Sequence, residues 1–225
     1  MAADLGDQVR QRFPWRETEA RLVAFMARWP ETCADERGGW FAPSDSEDEP
    51  PARLVPPLVL PAPAPGEAAA VWLDRLPVAL GVEVVVLLQA GAAALGLWCD
   101  DELVVHKALK KYVVRGSGKA QPTHLKTRGK SRYGSRLRLR NARALLVEVN
   151  ERLGDWWRES GAFDRVHWSC PKRTWPELFA TRPAPPFGRD DPALCRVPWD
   201  VHVPNHAELL RIRRLLTQGF VQSPS

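Results

Sequence analysis

The sequence predicts an α/β protein, a mixed β-sheet with packed helices, preceded by an N-terminal helical arm. Three observations predict it. Aliphatic and β-branched runs follow one another from Val82 to Val114, helical and extended periodicities alternate after them, and a 3.6-residue apolar rhythm opens the chain. With 225 residues, 44% of them hydrophobic, the chain has enough apolar side chain for one sizeable core plus appendages.

Taken in order, Leu5 to Trp29 places Phe13, Leu22, Val23, Phe25, Met26 and Trp29 on an apolar stripe with charges between them, which predicts a helical arm over residues 1–37. Residues 38–68 contain Asp45, Glu47, Asp48, Glu49 and eight prolines, a composition that reads as a linker. The main domain is expected over 69–217. Its first strands are Val82 to Gln89, Ala93 to Asp100 and Glu102 to Val114; the apolar run Val84 to Cys99 is too short and too interrupted, by Gln89 and Gly91, for a membrane helix. Residues 116–135 are poor in apolar side chains and read as a long mobile loop. Asn141 to Trp157 follows as a helix with Ala144, Leu145, Val149 and Leu153 on one face. Then come a strand Val166 to Cys170, a short helix Trp175 to Ala180 and a strand Arg196 to Val203. Asn205 is positioned as the N-cap of a last helix, with Glu208 completing a capping box, and 218–225 reads as a tail.

Charge is distributed unevenly. Thirteen Lys and Arg residues lie between Lys107 and Arg143 with no Asp or Glu among them, leaving 19 basic against 27 acidic residues elsewhere. Such a segment lies either in open water or against a polyanion; the glycines Gly116, Gly118, Gly129 and Gly134 among the cations favour close approach to RNA backbone. Cys33, Cys99, Cys170 and Cys195 are scattered, without metal or redox spacing, and are expected to be reduced. No secretory h-region opens the chain, so a cytoplasmic location is expected. His202 and His206 are four apart but separated by Pro204, a poor basis for a metal pair, and His106 and His124 flank the basic segment as phosphate contacts or solvated side chains. Trp156, Trp157, Trp168 and Trp175 read as core or groove lining, and Glu148 and Glu151 as solvent-facing helix residues. Gln121, before Pro122, is either a solvated loop residue or an amide that donates and accepts at once, able to hold a water against an ester carbonyl.

The run His106-Lys107-Ala108-Leu109-Lys110-Lys111-Tyr112-Val113-Val114-Arg115, followed by Gly118, Gln121, Ser131, Gly134, Leu137, Arg138 and Asn141, resembles the release-factor-like VLRF domain of the ankyrin-repeat and zinc-finger peptidyl-tRNA hydrolases. Asp191-Pro192, Leu194, Arg196-Val197-Pro198-Trp199, Pro204, Ala207-Glu208-Leu209 and Arg211 are similar to that family's ending, and the resemblance covers roughly 69–216. It implies a fold similar to the RNase H-like middle domain of the eukaryotic class I release factor, in a compact bacterial form without zinc finger, ankyrin repeats or coiled coil. It also implies peptidyl-tRNA hydrolysis on stalled large ribosomal subunits, within ribosome-associated quality control. Gln121 would be catalytic and Gly118 its turn. Arg115, Lys119, Lys126, Arg128, Lys130, Arg132, Arg136, Arg138 and Arg140 would meet RNA; Tyr112, Gly134 and Asn141 would support the loop. Lys119-Ala120 stands where termination factors have a second glycine before glutamine. The expected partners are the large subunit and peptidyl-tRNA, with no cofactor, no metal, no membrane and a monomeric state. Two alternatives stay open: a non-catalytic ribosome- and RNA-binding rescue adaptor, and an endonuclease cutting the tRNA acceptor end.

Overall fold

A computed structural model describes residues 8–44, 50–111 and 130–224, without the side chains of 8, 9, 130–135 and 224. The chain begins with β1 (Gln8–Pro14), a 3₁₀ turn (Trp15–Glu17), α1 (Thr18–Arg28), β2 (Cys33–Ala34), β3 (Trp40–Ala42), β4 (Ala52–Val55) and α2 (Ala69–Asp74). It continues through β5 (Val82–Gln89), β6 (Ala92–Cys99), β7 (Glu102–Lys110), α3 (Lys130–Ser160), β8 (Arg165–Ser169), α4 (Thr174–Ala180), β9 (Leu194–Arg196), α5 (His206–Leu216) and β10 (Gln218–Pro224). Two compact units result. One is Met1–Leu80 with Ile212–Ser225; the other is Gly81–Arg211.

The first unit is a five-stranded sheet in the order β1-β10-β4-β3-β2. The expected helical arm is therefore corrected: α1 is helical, but Gln8–Pro14 is a strand paired antiparallel with 218–224, and the expected tail is its partner. Long-range pairing overrides the local periodicity here, with Phe13 buried and Arg10, Gln11 and Arg12 exposed. Val23, assigned to the apolar stripe, is 55% exposed. The expected linker is corrected as well. Trp40, Ala42, Ala52 and Leu54 of β3 and β4 are buried in one cluster with Phe13, Leu22, Phe25 and Trp72. The prolines around these strands bound short segments that a long pattern window does not register.

The second unit is a mixed sheet in the order β7-β6-β5-β8-β9, with β5–β6 and β6–β7 antiparallel and β5–β8 and β8–β9 parallel. The β5–β6 hairpin turns at Gly91, whose φ of 85° suits glycine. Almost every residue of β5 and β6 is buried, which explains why their sequence is a continuous apolar run and not an alternating one. One face packs Val84, Val86, Leu88, Leu95 and Leu97 against Leu145, Val149, Leu153 and Trp156 of α3 and Leu178 of α4. The stripe 145, 149, 153, 156 follows the helical repeat. At its end the helix stops at Gly161, in left-handed backbone at φ 84°, whose N–H donates to Trp157 O at 3.0 Å.

Two further expectations are corrected. The helix begins at Lys130, so 130–135, expected as loop, is helical; the run Lys130-Ser131-Arg132-Tyr133-Gly134-Ser135 carries no apolar stripe to announce it and extends, by propagation, the Leu- and Arg-rich helix that follows. Arg196 to Val203 is strand only as far as Arg196, because Pro198 and Pro204 leave no continuous donor row. Among the described residues, no helix is long and apolar enough to cross a membrane.

Candidate nucleic-acid interface

In the second unit β5, β7, β8 and β9 all point the same way, so their carboxyl ends share one edge of the sheet. The basic segment leaves from that edge. Lys111, just past β7, is fixed twice: its N–H donates to Gly91 O at 2.8 Å, and its Nζ lies 2.7 Å from Glu148 on α3. Glu148, expected simply to face solvent, thus ties the departing strand to the returning helix. Tyr112, Arg115, Gly118, Lys119, Gln121, Lys126 and Arg128 lie outside the described residues. Lys130, Arg132 and Gly134 fall in the opening turns of α3, where side chains are not described.

Beyond them the spacing of Arg136, Arg140 and Arg143 puts three guanidiniums on one helical face. All three are exposed, Arg138 is half-buried, and none of the four has an ion-pair or hydrogen-bond partner among the described residues. Charges without internal partners keep their full field for an external anion. With Leu139, Glu177 and Thr181, the three line a groove of about 650 Å³ between α3 and α4. Leu139 is 75% exposed. Asn141, expected to support the loop, is half-buried on the same helix.

A second feature at this edge escaped the sequence reading. A crevice of about 520 Å³ opens at the carboxyl ends of β5, β8 and β9, walled by the segment Val197–Val201. That wall is held from both sides. Gln89 Nε2, at the end of β5, donates to Val201 O at 2.6 Å and His202 O at 3.0 Å. On the other side Glu208 accepts from His202 N at 2.7 Å and from Arg211 Nε and Nη2 at 2.8 and 2.7 Å, and Arg211 Nη2 also donates to Asp200 O at 2.9 Å. Asn205 caps the helix, its Oδ1 accepting from Glu208 N at 2.9 Å. The expected capping box is thus half realised, since the Glu208 carboxylate turns to the wall and away from the Asn205 amide. The Arg211 guanidinium, helped by the His202 N–H, holds the Glu208 carboxyl at about 2, against the opposing effect of burial.

Of the remaining candidates, His124 lies outside the described residues and the others make contacts within the fold. The Trp168 and Trp175 rings stack at 3.9 Å with Arg196 over Trp168, and Trp156 is in the core. The His106 and His206 rings lie 3.9 Å apart, tilted by 40°, and the His202 Nδ1 lies 3.3 Å from Glu208. The described residues contain no group of three or more His, Cys, Asp or Glu that could hold a metal ion. All four cysteines are free; burial, reinforced by the Glu177 carboxylate, pushes the Cys170 thiol up to about 12 and keeps it from acting as a nucleophile.

A mixed sheet followed, past its carboxyl edge, by an acid-free basic stretch of sequence and an arginine-studded helix defines an α/β domain with a surface suited to a polyanion. The family described as "bVLRF1: Bacteroidetes VLRF1 release factor" matches residues 83–223, more than half of the chain, and the chain belongs to that family. It is 31% identical over 138 residues to the "tRNA endonuclease ANKZF1" of Mus musculus, a match covering 60% of this chain and 18% of that protein. The chain therefore spans less than a fifth of the length of this relative. Among solved structures, the "Vms1 mitochondrial localization core" superposes with a TM-score of 0.50 at 13% identity, covering 81% of this chain and 76% of that one. That likeness supports the VLRF1-like fold.

Proposed function

We propose that the protein is a peptidyl-tRNA hydrolase that frees nascent chains from tRNA on stalled large ribosomal subunits, with Gln121 positioning the attacking water. The observation that carries this reading is membership of a release-factor family whose matched region begins at β5 and takes in the whole basic crossover. The anchored Lys111, and Arg136, Arg138, Arg140 and Arg143, which have no partner among the described residues, support it, because the chain is fixed before the basic segment and cationic after it. The reaction is addition of water to the ester carbonyl carbon. The bond to the ribose oxygen breaks, and that oxygen takes up a proton, leaving a free peptide and an intact tRNA. A glutamine amide orients the water by accepting from it while donating to the carbonyl side, so its contribution is positional and not basic. Gly118 gives the turn, and Arg115, Lys119, Lys126, Arg128, Lys130, Arg132, Arg136, Arg138 and Arg140 neutralise RNA phosphates. Tyr112, Gly134 and Asn141 brace the segment. In this reading the work is cytoplasmic and belongs to ribosome-associated quality control, on the large subunit, by a monomer without a cofactor.

A second reading, cleavage of the tRNA strand near its acceptor end, is favoured by the name of the mouse relative. One experiment separates them. Purified large-subunit complexes bearing labelled peptidyl-tRNA are treated with wild type or Gln121→Ala, and the 3′ end of the tRNA product is mapped. Release by wild type alone with an intact 3′ end supports ester hydrolysis, and a shortened end supports strand cleavage. Equal release by Gln121→Ala removes Gln121 from the mechanism, and tight binding without release by either leaves a non-catalytic rescue adaptor.

A further inference from the structure

We infer that the crevice at the carboxyl ends of β5, β8 and β9 is a seat for one unpaired nucleotide of RNA, distinct from the basic segment and serving the same substrate. The inference rests on the RNA-directed reading above and adds a second point of contact to it.

Open α/β sheets bind ligands outside the carboxyl ends of their parallel strands, where connecting segments part. Here that edge is where β5 is joined antiparallel to β6 on one side and parallel to β8 on the other. The crevice is lined by Gln89, Ser169, Arg196, Trp199 and Asp200, each chemically suited to a nucleotide. Trp199 is half-exposed and offers an indole face for a base. The Arg196 guanidinium is exposed, and its one described contact is with the Trp168 ring at 5.9 Å, so it remains available for a phosphate. The Ser169 hydroxyl and the Asp200 carboxylate have no hydrogen-bond partner among the described residues; together with the Gln89 amide oxygen they suit a base edge or a ribose hydroxyl.

The wall is also built for the purpose. Its backbone carbonyls at Asp200, Val201 and His202, and the His202 N–H, are taken up by Gln89, Glu208 and Arg211. Trp199 and Asp200 thereby line the crevice from a backbone held in place, the arrangement that lowers the ordering cost of binding. With the Cys170 thiol held protonated, the crevice is suited to binding and not to covalent chemistry. The sheet order places β5 two strands and β9 four strands from β7, so the crevice starts about 10 Å from the departure point of the basic segment and extends to about 19 Å. An RNA end that is duplex on one side and single-stranded on the other would meet the basic surface with its phosphates and the crevice with an unstacked base.

The test uses the full chain and two 5′-fluorescein RNA hairpins of the same stem, one blunt and one with a four-nucleotide 3′ overhang, read by anisotropy. Wild type is expected to prefer the overhang. Trp199→Ala should lower affinity for the overhang hairpin by roughly tenfold, the scale of one base-on-aromatic stack, and leave blunt binding unchanged, while Trp199→Phe restores the preference. Arg136→Gln with Arg140→Gln should weaken both hairpins alike. If wild type binds both hairpins equally, or if Trp199→Ala keeps the preference, the crevice is not a nucleotide seat although the RNA-directed reading survives. If wild type binds neither hairpin, the seat and the reading on which it rests fall together.

Discussion

Replacing Glu208 with glutamine should destabilise the protein at neutral pH and should matter progressively less in acid. In the folded protein the Glu208 carboxyl is lowered from an ordinary 4.5 to about 2, chiefly by hydrogen bonds from Arg211 and then from the His202 N–H. The depression corresponds to about 3 kcal/mol of preference for the ionised form, which solvent screening at the 37%-exposed Arg211 trims to about 2 kcal/mol. Because the folded value is depressed, this stabilisation is fully present above the unfolded value near 4.5 and disappears as pH falls through the folded value near 2. About two-fifths of it is gone by pH 3.5, by the same linkage. Urea unfolding followed by tryptophan fluorescence, on wild type and Glu208→Gln at a series of pH values from 7 to 3, measures the difference directly. A gap of about 2 kcal/mol at pH 7 that narrows below pH 4.5 is expected. A gap that stays constant across the series, or none at neutral pH, would refute the assignment of Glu208 as the ionised clamp on Asp200 and His202.

Leu153→Ala, at a fully buried position where α3 meets the sheet, should cost about 2–5 kcal/mol in urea unfolding. His167→Ala removes the ring lying 3.0 Å from the buried Glu83 carboxylate and should cost about 3 kcal/mol in the same assay, and the cycle with Glu83→Gln should be strongly non-additive. Arg136→Gln with Arg140→Gln should reduce the dependence of hairpin RNA affinity on salt, lowering the log–log slope by about 1–2; an unchanged slope would mean that these guanidiniums do not meet phosphate.

How much of this could be read from residues alone depended on how far apart the interacting parts lie. Strand Val82–Gln89 and its hairpin partner were legible because burial on both faces leaves an uninterrupted apolar run, and the cap at Asn205 because it is local. The first unit was not. Its sheet is built from strands as short as β3 and β4 and closes through β10, which pairs with segments far away, and Trp40, Leu54 and Phe220 carry no period long enough to notice. Arg136, Arg138 and Arg140 were visible by composition, whereas their helical setting was hidden by the lack of an apolar stripe. The crevice had a partial trace, the Arg196-Val197-Pro198-Trp199 run, but nothing local links that run to Gln89, more than a hundred residues earlier.

The placement of β10 between β1 and β4 bears on the order in which the molecule can form. Gly81–Arg211 is one uninterrupted stretch, and its β5–β6 and β6–β7 pairs join neighbours in sequence. The other sheet is different, since the strand that joins β1 to β4 comes from residues 218–224 and must find Arg53 to Val55 and Gln8 to Pro14 across the whole intervening stretch. Loop-closure entropy makes such pairing late and slow. During synthesis, the strands β1 and β4 therefore wait with open edges until residues 218–224 have been made, while the sheet that bears the basic crossover can already be complete. Interrupted translation of this chain would leave a finished second unit attached to an unfinished, edge-exposed one, and that exposed edge is the feature by which such a fragment would aggregate or be recognised for disposal.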